Sequence, residues 1–135
     1  MAEKLKIFSD GGARGNPGPA ACGVVIKDEA GRLISEHSKY LGKATNNQAE
    51  YQGVILGLAE ASKLRAKEVI FYLDSQLVVN QLNQDYKVKN LEIQSLFVRI
   101  WNLSQQFKKV TYKHVSRELN KAADRLVNQE LDRQK

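Results

Sequence analysis

Hydrophobic and polar positions alternate through much of the first third of the chain, as is typical of half-buried strands. The stretch "KLKIFSD" predicts a first strand ending near Asp10, "ACGVVIKD" a second and "RLISEHSKYL" a third. A glycine- and proline-rich stretch joins the first two strands, and the tight turn "EAG" joins the next two. The pattern predicts an antiparallel meander in which the glycines form an irregular hairpin loop.

The hydrophobic period changes to a helical one after residue 44. Residues 45–64 predict a helix, and Thr45 and Gln48 match a capping box at its start. "EVIFYLD" is a continuous apolar run ending at Asp74, which predicts a central strand buried on both faces. A short helix over 75–83 and an amphipathic helix over 91–107 follow, the latter with an apolar stripe of Ile93, Leu96, Phe97, Ile100, Trp101 and Phe107.

The last two elements complete a mixed α/β pattern. "KKVTYKHV" alternates as a fifth strand, and "NKAADRLVNQEL" predicts a final helix capped by Asn120. The order βββαβααβα predicts a five-stranded mixed sheet with helices on both faces. No repeat or linker interrupts the 135 residues, so we expect residues 1–135 to form a single domain.

The charge balance favours an anionic partner. The formal net charge is +6 with a pI near 9.5, and eight basic against four acidic residues from Lys108 onward supply +4 of it. Nucleic acid is the first candidate partner for such a chain. The sequence has no apolar run of transmembrane length and no secretory leader pattern, and its one cysteine, Cys22, lies in an apolar run. We therefore expect a cytoplasmic protein without a membrane segment, with Cys22 buried.

The run "DGGARGNPGPAACG" is not a nucleotide-binding loop. A phosphate loop needs Lys followed by Ser or Thr after its last glycine, and none follows here. A dinucleotide fingerprint opens a helix, whereas this run leads into a strand. Asp10 at its start lies where open α/β sheets bind ligands, at the carboxyl end of a strand.

Four carboxylates are predicted to converge at that edge. Asp10 and Asp74 each end an apolar strand, and if the first helix is a right-handed crossover, those strands can be parallel neighbours. Glu50 falls in about the first turn of the first helix, and Asp124 in the first turn of the last. Taken singly, each acid could serve only a helix dipole or cap. Together they would suit hard divalent ions such as Mg²⁺ or Mn²⁺, and two such ions roughly 4 Å apart can promote phosphodiester cleavage.

Four stretches resemble the ribonuclease H family, type 1: "FSDGGARGNPGPA", "TNNQAEYQGVILGL", "YLDSQLVVNQL" and "HVSRELNKAADRLVN". They occur in family order and cover nearly the whole chain. The resemblance implies cleavage of the RNA strand of RNA–DNA hybrids with two Mg²⁺ ions, Mn²⁺ being a substitute, leaving 5′-phosphate and 3′-hydroxyl ends. It makes Asp10, Glu50, Asp74 and Asp124 the catalytic, metal-binding acids.

The resemblance also assigns substrate contacts. Asn16 in the first hairpin, Thr45, Asn46 and Asn47 at the entry to the first helix, and Gln76 after the third acid match regions that contact the hybrid's sugars and phosphates. Amide side chains of this kind suit recognition by shape in a minor groove. Thr45 and the asparagines also fit a helix cap, and the two roles are compatible. Arg14 is assigned a phosphate contact as an exposed loop arginine.

Two features depart from many bacterial family members. The stretch "HVSRELNKAAD" is too short for the glycine- and histidine-containing loop before the last acid, and His114 lies within a strand. Arg117 or Glu118 would take up part of that loop's space, and we expect Arg117 to act there as an electrostatic helper in catalysis. The basic protrusion between the middle helices is also absent, with only Lys87 and Lys89 in its place. We further expect no separate hybrid-binding domain before residue 1, and a monomer.

Other interpretations stay open at this point. An integrase or junction resolvase would share the fold, but the residues around Asp10 and "TNNQAE" argue against both. A closer variant also cuts RNA–RNA duplexes, which the sequence does not exclude. A non-catalytic hybrid-binding module is the alternative from another class, and all four acids argue against it.

Overall fold

The structure is a computed structural model that describes residues 3–134, so the outermost positions of the predicted domain, at 1, 2 and 135, lie outside the described residues. Five strands and four α-helices follow the predicted order. The strands are β1 (Lys4–Ala13), β2 (Gly18–Asp28), β3 (Leu33–Ala44), β4 (Glu68–Leu73) and β5 (Lys109–His114). The helices are α1 (Asn46–Lys63), α2 (Gln76–Leu82), α3 (Leu91–Ser104) and α4 (Lys121–Arg133), the last preceded by a 3₁₀ turn, Arg117–Asn120.

The strands form one mixed sheet in the order β3-β2-β1-β4-β5. Strands β1 to β3 pair antiparallel, which confirms the predicted meander. Strand β1 runs parallel to β4, and β4 parallel to β5. The two central strands therefore end at the same edge of the sheet, as predicted.

Helices cover both faces of the sheet, as predicted, but unequally. The main core lies between the sheet and α1, α2 and α3, and contains Ile7, Val54 and Phe71, all fully buried. Helix α4 packs on the opposite face, over β1, β2 and β3, and its small apolar cluster includes Ala21 and Val127. Cys22 is buried, as expected. Within residues 3–134 no helix is long and apolar enough to cross a membrane.

The predicted irregular hairpin loop is present but begins at Arg14 rather than after Asp10. Gly11, Gly12 and Ala13 continue β1 and pair with Cys22, Ala21 and Ala20 of β2, which leaves only residues 14–17 outside the strands. Gly11 instead reflects the packing of α1 on β1. A Cβ built on Gly11 would lie 2.2 Å from the backbone carbonyl carbon of Ala49, so only glycine lets α1 approach this closely.

Strand β4 is buried on one face only, contrary to the prediction. Val69, Phe71 and Leu73 point into the core, whereas Ile70 and Tyr72 are half-buried on the opposite face. Ile70 and Tyr72 make the run continuously apolar, which is the pattern of a strand buried on both faces. They are not fully covered because α4 packs on β1, β2 and β3 of that face and not on β4. Apolar composition alone does not reveal which strands a helix covers.

Two predictions at helices are also corrected. Trp101 is 51 % exposed, because it lies about 100° around the helix from its buried neighbour Ile100. Asn120 occupies the position before α4 but makes no side-chain capping bond. Instead its Nδ2 donates to the carbonyl oxygen of Ser9 at 2.9 Å. The capping box of Thr45 and Gln48 is confirmed.

Candidate active site

Asp10 and Asp74 lie side by side because their strands are in parallel register. Phe8 pairs with Tyr72, and each acid follows two residues later along its own strand. Residues two apart on a strand share a face, so both carboxyl groups emerge at the same place on the sheet edge. Asp10 is buried and Asp74 is partly buried.

Helix α1 brings Glu50 to this pair. Gly11 admits the backbone of Ala49 against β1, which places the next residue, Glu50, beside Asp10. Carboxylate oxygens of Asp10, Glu50 and Asp74 all lie within 4.8 Å of one another. Glu50 lies just past the first helical turn rather than within it.

Helix α4 adds Asp124 from the other side of the sheet. A Cβ on Gly23 would lie 2.7 Å from Cβ of Leu126, so glycine in β2 allows the close packing of this helix. Asp124 lies in its first turn, as predicted, and its side chain is within hydrogen-bonding reach of the Asp10 carboxyl group. All four predicted acids line one cavity of about 370 Å³.

The crowding of these acids changes their proton affinity. Burial, followed by the neighbouring charges of Asp74 and Asp124, raises the pKa of Asp10 to about 8. Burial and then the charge of Asp74 raise the pKa of Glu50 to about 7, against a hydrogen bond from Ser75. Both groups therefore resist ionisation unless a positive charge enters the cavity.

The donor set fits a divalent metal ion. It consists of carboxylate oxygens at a spacing that one ion can bridge, and hard cations prefer such ligands. A bound cation would offset the repulsion that raises the pKa of Asp10 and Glu50. Asp10, Glu50 and Asp74 could hold such an ion directly, with Asp124 beside them.

We expect Asp10→Asn to stabilise the metal-free protein. The pKa of Asp10 is about 8 in the folded chain against an ordinary 3.8, so folding disfavours its ionised form, and stability is lost as the pH rises through this range. Asparagine does not ionise, so the variant avoids this loss. Its free energy of unfolding should exceed that of the unmodified chain by roughly 1–3 kcal/mol near pH 7.5 and by less at pH 5. Urea unfolding in chelator at both pH values measures it. If the two proteins differed in unfolding free energy by the same amount at both pH values, the raised pKa of Asp10 would be contradicted.

The predicted arginines lie near the acids. Arg14 and Arg117 line the same cavity, together with Asn46. Arg14 also pairs with Asp132 of α4 at 2.8 Å, which ties the hairpin loop to that helix. Arg117 is exposed in the 3₁₀ turn before α4.

The predicted amide residues form a neighbouring cavity, also of about 370 Å³, lined by Asn16, Thr45, Asn46 and Asn47 among others. The backbone N–H of Asn46 donates to Oδ1 of Asn16 at 3.0 Å, and the N–H of Ala13 donates to Oδ1 of Asn46 at 2.8 Å. These bonds join the first hairpin to the start of α1. Gln76 lines neither cavity; it is exposed, and its Nε2 donates to Oδ1 of Asn80 at 3.0 Å.

Two residues at the site were missed from the sequence, and a third, Asn120, was given the wrong role. Ser75 bonds Glu50, and Asn128 donates to the backbone oxygen of Asp124 at 3.1 Å and to its carboxylate at 3.4 Å. The spacing of four residues between Asp124 and Asn128 on a helix could have indicated this contact. Asn120 has no such local signal, since its partner lies 111 positions earlier.

The chain is similar to known proteins over nearly its whole length. A family model described as reverse transcriptase-like matches residues 8–130. Bifunctional protein Rv2228c of Mycobacterium tuberculosis is 43 % identical over 96 % of this chain, which spans only 36 % of that relative. Ribonuclease HI of Halobacterium salinarum is 36 % identical over 96 % of this chain and 65 % of its own length.

Solved structures agree with these relatives. The N-terminal RNase H domain of Rv2228c superposes with a TM-score of 0.93 at 42 % identity, over 97 % of this chain and 95 % of that one. RNase H1 of Halobacterium salinarum superposes with a TM-score of 0.93 at 36 % identity, over 96 % of this chain and 98 % of that one. LC11-RNase H1, in complex with an RNA/DNA hybrid, superposes with a TM-score of 0.91 at 40 % identity, over 96 % of this chain and 97 % of that one. The fold, the family model and these neighbours together show that the chain belongs to the ribonuclease H family, type 1.

Proposed function

We propose that the chain is a metal-dependent endoribonuclease that hydrolyses the RNA strand of RNA–DNA hybrids, leaving 5′-phosphate and 3′-hydroxyl ends. The observation that carries the proposal is the meeting of Asp10, Glu50 and Asp74 within 4.8 Å, with Asp124 in the same cavity. The hybrid bound to LC11-RNase H1 supports the substrate. Because the chain spans about a third of its mycobacterial relative, the proposal concerns the activity of this domain.

The proposed cofactors are two Mg²⁺ ions, with Mn²⁺ as a substitute. When bound, such ions activate a water molecule and stabilise the leaving oxygen of a phosphodiester. The chain's own contribution is to fix the ligands. The parallel strands hold Asp10 and Asp74, and the close approach of α1 at Gly11 holds Glu50. Arg117, at the mouth of the same cavity, attracts the scissile phosphate.

The amide-lined cavity is the proposed contact with the hybrid's sugars. Free amide hydrogens of Asn16 and Asn46 remain available there, because each side chain uses its oxygen within the protein. Thr45 and Asn47 line the same cavity, Asn46 lines both this cavity and that of the carboxylates, and Arg14 lines the latter. Gln76 would reach the hybrid from the start of α2. Contacts to sugar and backbone select duplex shape rather than sequence.

We also propose that residues 1–135 act as one domain and as a monomer. The family model spans residues 8–130, nearly all of the chain. A single cysteine, buried as a free thiol, suits the reducing cytoplasm. Size-exclusion chromatography with light scattering would test the monomer, and a dimer mass would contradict it.

The substrate class is tested with one labelled RNA strand, annealed to DNA, to RNA or to nothing. We expect cutting at internal positions of the DNA-paired strand in Mg²⁺ or Mn²⁺, and an intact free strand. The RNA duplex then decides whether the substrate range extends to double-stranded RNA. If the hybrid binds and stays intact under every condition, the chain is a binding module instead.

Hybrid affinity should fall steeply with salt, because phosphate contacts release counterions. We expect Arg117→Gln to reduce the slope of log affinity against log salt by about 0.9, the value for one phosphate contact. Fluorescence anisotropy with Asp74→Asn as the background keeps the substrate intact. Arg32→Gln is the matched control, since Arg32 pairs with Asp28 in the β2–β3 turn, away from the site. An unchanged slope for Arg117→Gln would exclude this contact.

A further inference from the structure

Part of the sheet face that carries α4 is uncovered. Helix α4 packs over β1, β2 and β3 near Gly12 and Gly23, whereas among residues 3–134 no helix packs on this face of β4, of β5 or of the first part of β1. The side chains there alternate with those of the main core. We call this region the open face; it is defined by two aromatic residues, five lysines and the acid that is register partner of two of them: Phe8, Tyr72, Lys4, Lys6, Lys27, Lys109, Lys113 and Glu68.

Two aromatic rings form the centre of the open face. Phe8 and Tyr72 are register partners whose rings stack at 4.8 Å between centroids and 17° between planes. The Nζ of Lys27 lies 5.1 Å from the Phe8 centroid, so the Phe8 ring is flanked by Tyr72 and by a cation. Tyr72 is next to Lys113 on its β5 side. Tyr72 is half-buried, so part of its ring remains accessible to solvent.

The open face is strongly basic. Lys6 and Lys27 are register partners, and Lys4, Lys109 and Lys113 extend the positive charge across β1 and β5. Among residues 3–134, none of these five lysines lies within ion-pairing distance of a carboxylate. A groove of about 190 Å³ runs between three of them, lined also by Ile70, Thr111 and Glu68.

The open face leads directly to the carboxylates. Phe8 and Tyr72 precede Asp10 and Asp74 by two residues on the same strands and on the same face. Two residues of a strand span about 7 Å, roughly one nucleotide step along an extended strand. A nucleic-acid strand engaged at the active site can therefore continue onto the open face without a gap.

We propose that the open face binds an unpaired nucleic-acid strand that continues from the hybrid. Lysines that lack carboxylate partners supply sites for backbone phosphates, and the exposed side of Tyr72 supplies a platform on which a base stacks. Unpaired lysines beside aromatic rings are the usual combination in surfaces that bind single strands without sequence preference. The inference rests on the proposed function only in naming the strand's source.

A binding experiment in chelator tests this surface apart from catalysis. The probe is a fluorescent oligomer of twelve thymidines, and anisotropy gives its affinity at several salt concentrations. We expect Lys6→Gln/Lys113→Gln to weaken binding about tenfold at low salt and to reduce the salt slope by about 1.4, the value for two single-strand phosphate contacts. Tyr72→Leu should weaken binding at least about fivefold through lost stacking.

The matched control is Lys39→Gln/Lys43→Gln, which removes the same charge from two exposed lysines of β3 that, within residues 3–134, also lie beyond ion-pairing distance of any carboxylate. It should change the affinity less than twofold. Equal losses in the two double variants, or no oligomer binding by the unmodified chain, would overturn the proposal. Equally tight binding of a polyglutamate peptide would also overturn it, since the surface would then accept any polyanion.

Cleavage assays separate this proposal from the proposed function. On a blunt hybrid, the Lys6→Gln/Lys113→Gln variant should cut at the rate of the unmodified chain. On a hybrid with a single-stranded tail, the KM of the variant should be about tenfold higher than that of the unmodified chain. Loss of cutting on both substrates by the unmodified chain would remove the proposed function and leave the oligomer result standing. An identical KM for both hybrids in all variants would refute the link between the open face and the active site.

Discussion

Asp74→Asn is expected to lower the rate of hybrid cleavage at least about a thousandfold while the protein stays folded and binds the hybrid. The amide has nearly the shape of the carboxylate but is a poor ligand for a hard cation. The Asp74 carboxylate lies within 4.8 Å of the Asp10 and Glu50 oxygens, so the substitution would remove a ligand from any metal ion that these three residues hold. The rate is measured on a labelled hybrid, and binding by anisotropy.

Asp85→Asn provides the control for this substitution. Asp85 lies in the exposed connection between α2 and α3 and lines neither of the two site cavities. Its cleavage rate should stay within about twofold of the unmodified chain, since it removes the same charge without touching the cluster. If Asp74→Asn cleaved as fast as Asp85→Asn, the four carboxylates would not be the catalytic centre.

Gly11→Ala should destabilise the fold by about 3–5 kcal/mol, the largest stability effect that we expect of a single methyl group. The added Cβ would lie 2.2 Å from both the carbonyl carbon and the oxygen of Ala49, and neither backbone atom can turn aside as a side chain can. Helix α1 would have to move away from β1. Because Glu50 follows Ala49, the movement would also separate Glu50 from Asp10.

Gly12→Ala is the matched control, one position along the same strand. Its Cβ would find its nearest neighbour, Cγ1 of Val127, at 3.8 Å, an ordinary contact. Its free energy of unfolding should stay within about 1 kcal/mol of the unmodified chain. Urea denaturation of the three proteins compares the midpoints. Equal midpoints for Gly11→Ala and Gly12→Ala would contradict the close approach of α1.

The sequence predicted the convergence of Asp10 and Asp74 because the geometry of parallel strands is general. Two apolar runs that each end in an acid can lie as parallel neighbours when the helix before the second run is a right-handed crossover. The end of the first strand was predicted less well, since Gly11, Gly12 and Ala13 were assigned to a loop but continue β1. Glycine marks both irregular loops and close backbone approach, and one chain without its partner elements does not separate these causes.

Long-range contacts were the other limit of prediction. Whether Ile70 and Tyr72 are covered depends on the path of α4, which is set some fifty residues later in the chain. The bond from Asn120 to the carbonyl of Ser9 likewise joins distant positions, and the local pattern suggested a helix cap instead. Periodicity identifies the buried face of an element but not the partner that buries it.

The most direct test of the central claim is the rate of RNA cleavage in an RNA–DNA hybrid as Mg²⁺ is titrated from chelator upward, with Asp74→Asn measured in parallel. We predict no cutting in chelator, a rate that rises with Mg²⁺ to saturation in the unmodified chain, and a flat response in the variant. Cutting that persists in chelator, or that rises equally in the variant, would show that the chemistry does not depend on a metal ion held by these carboxylates.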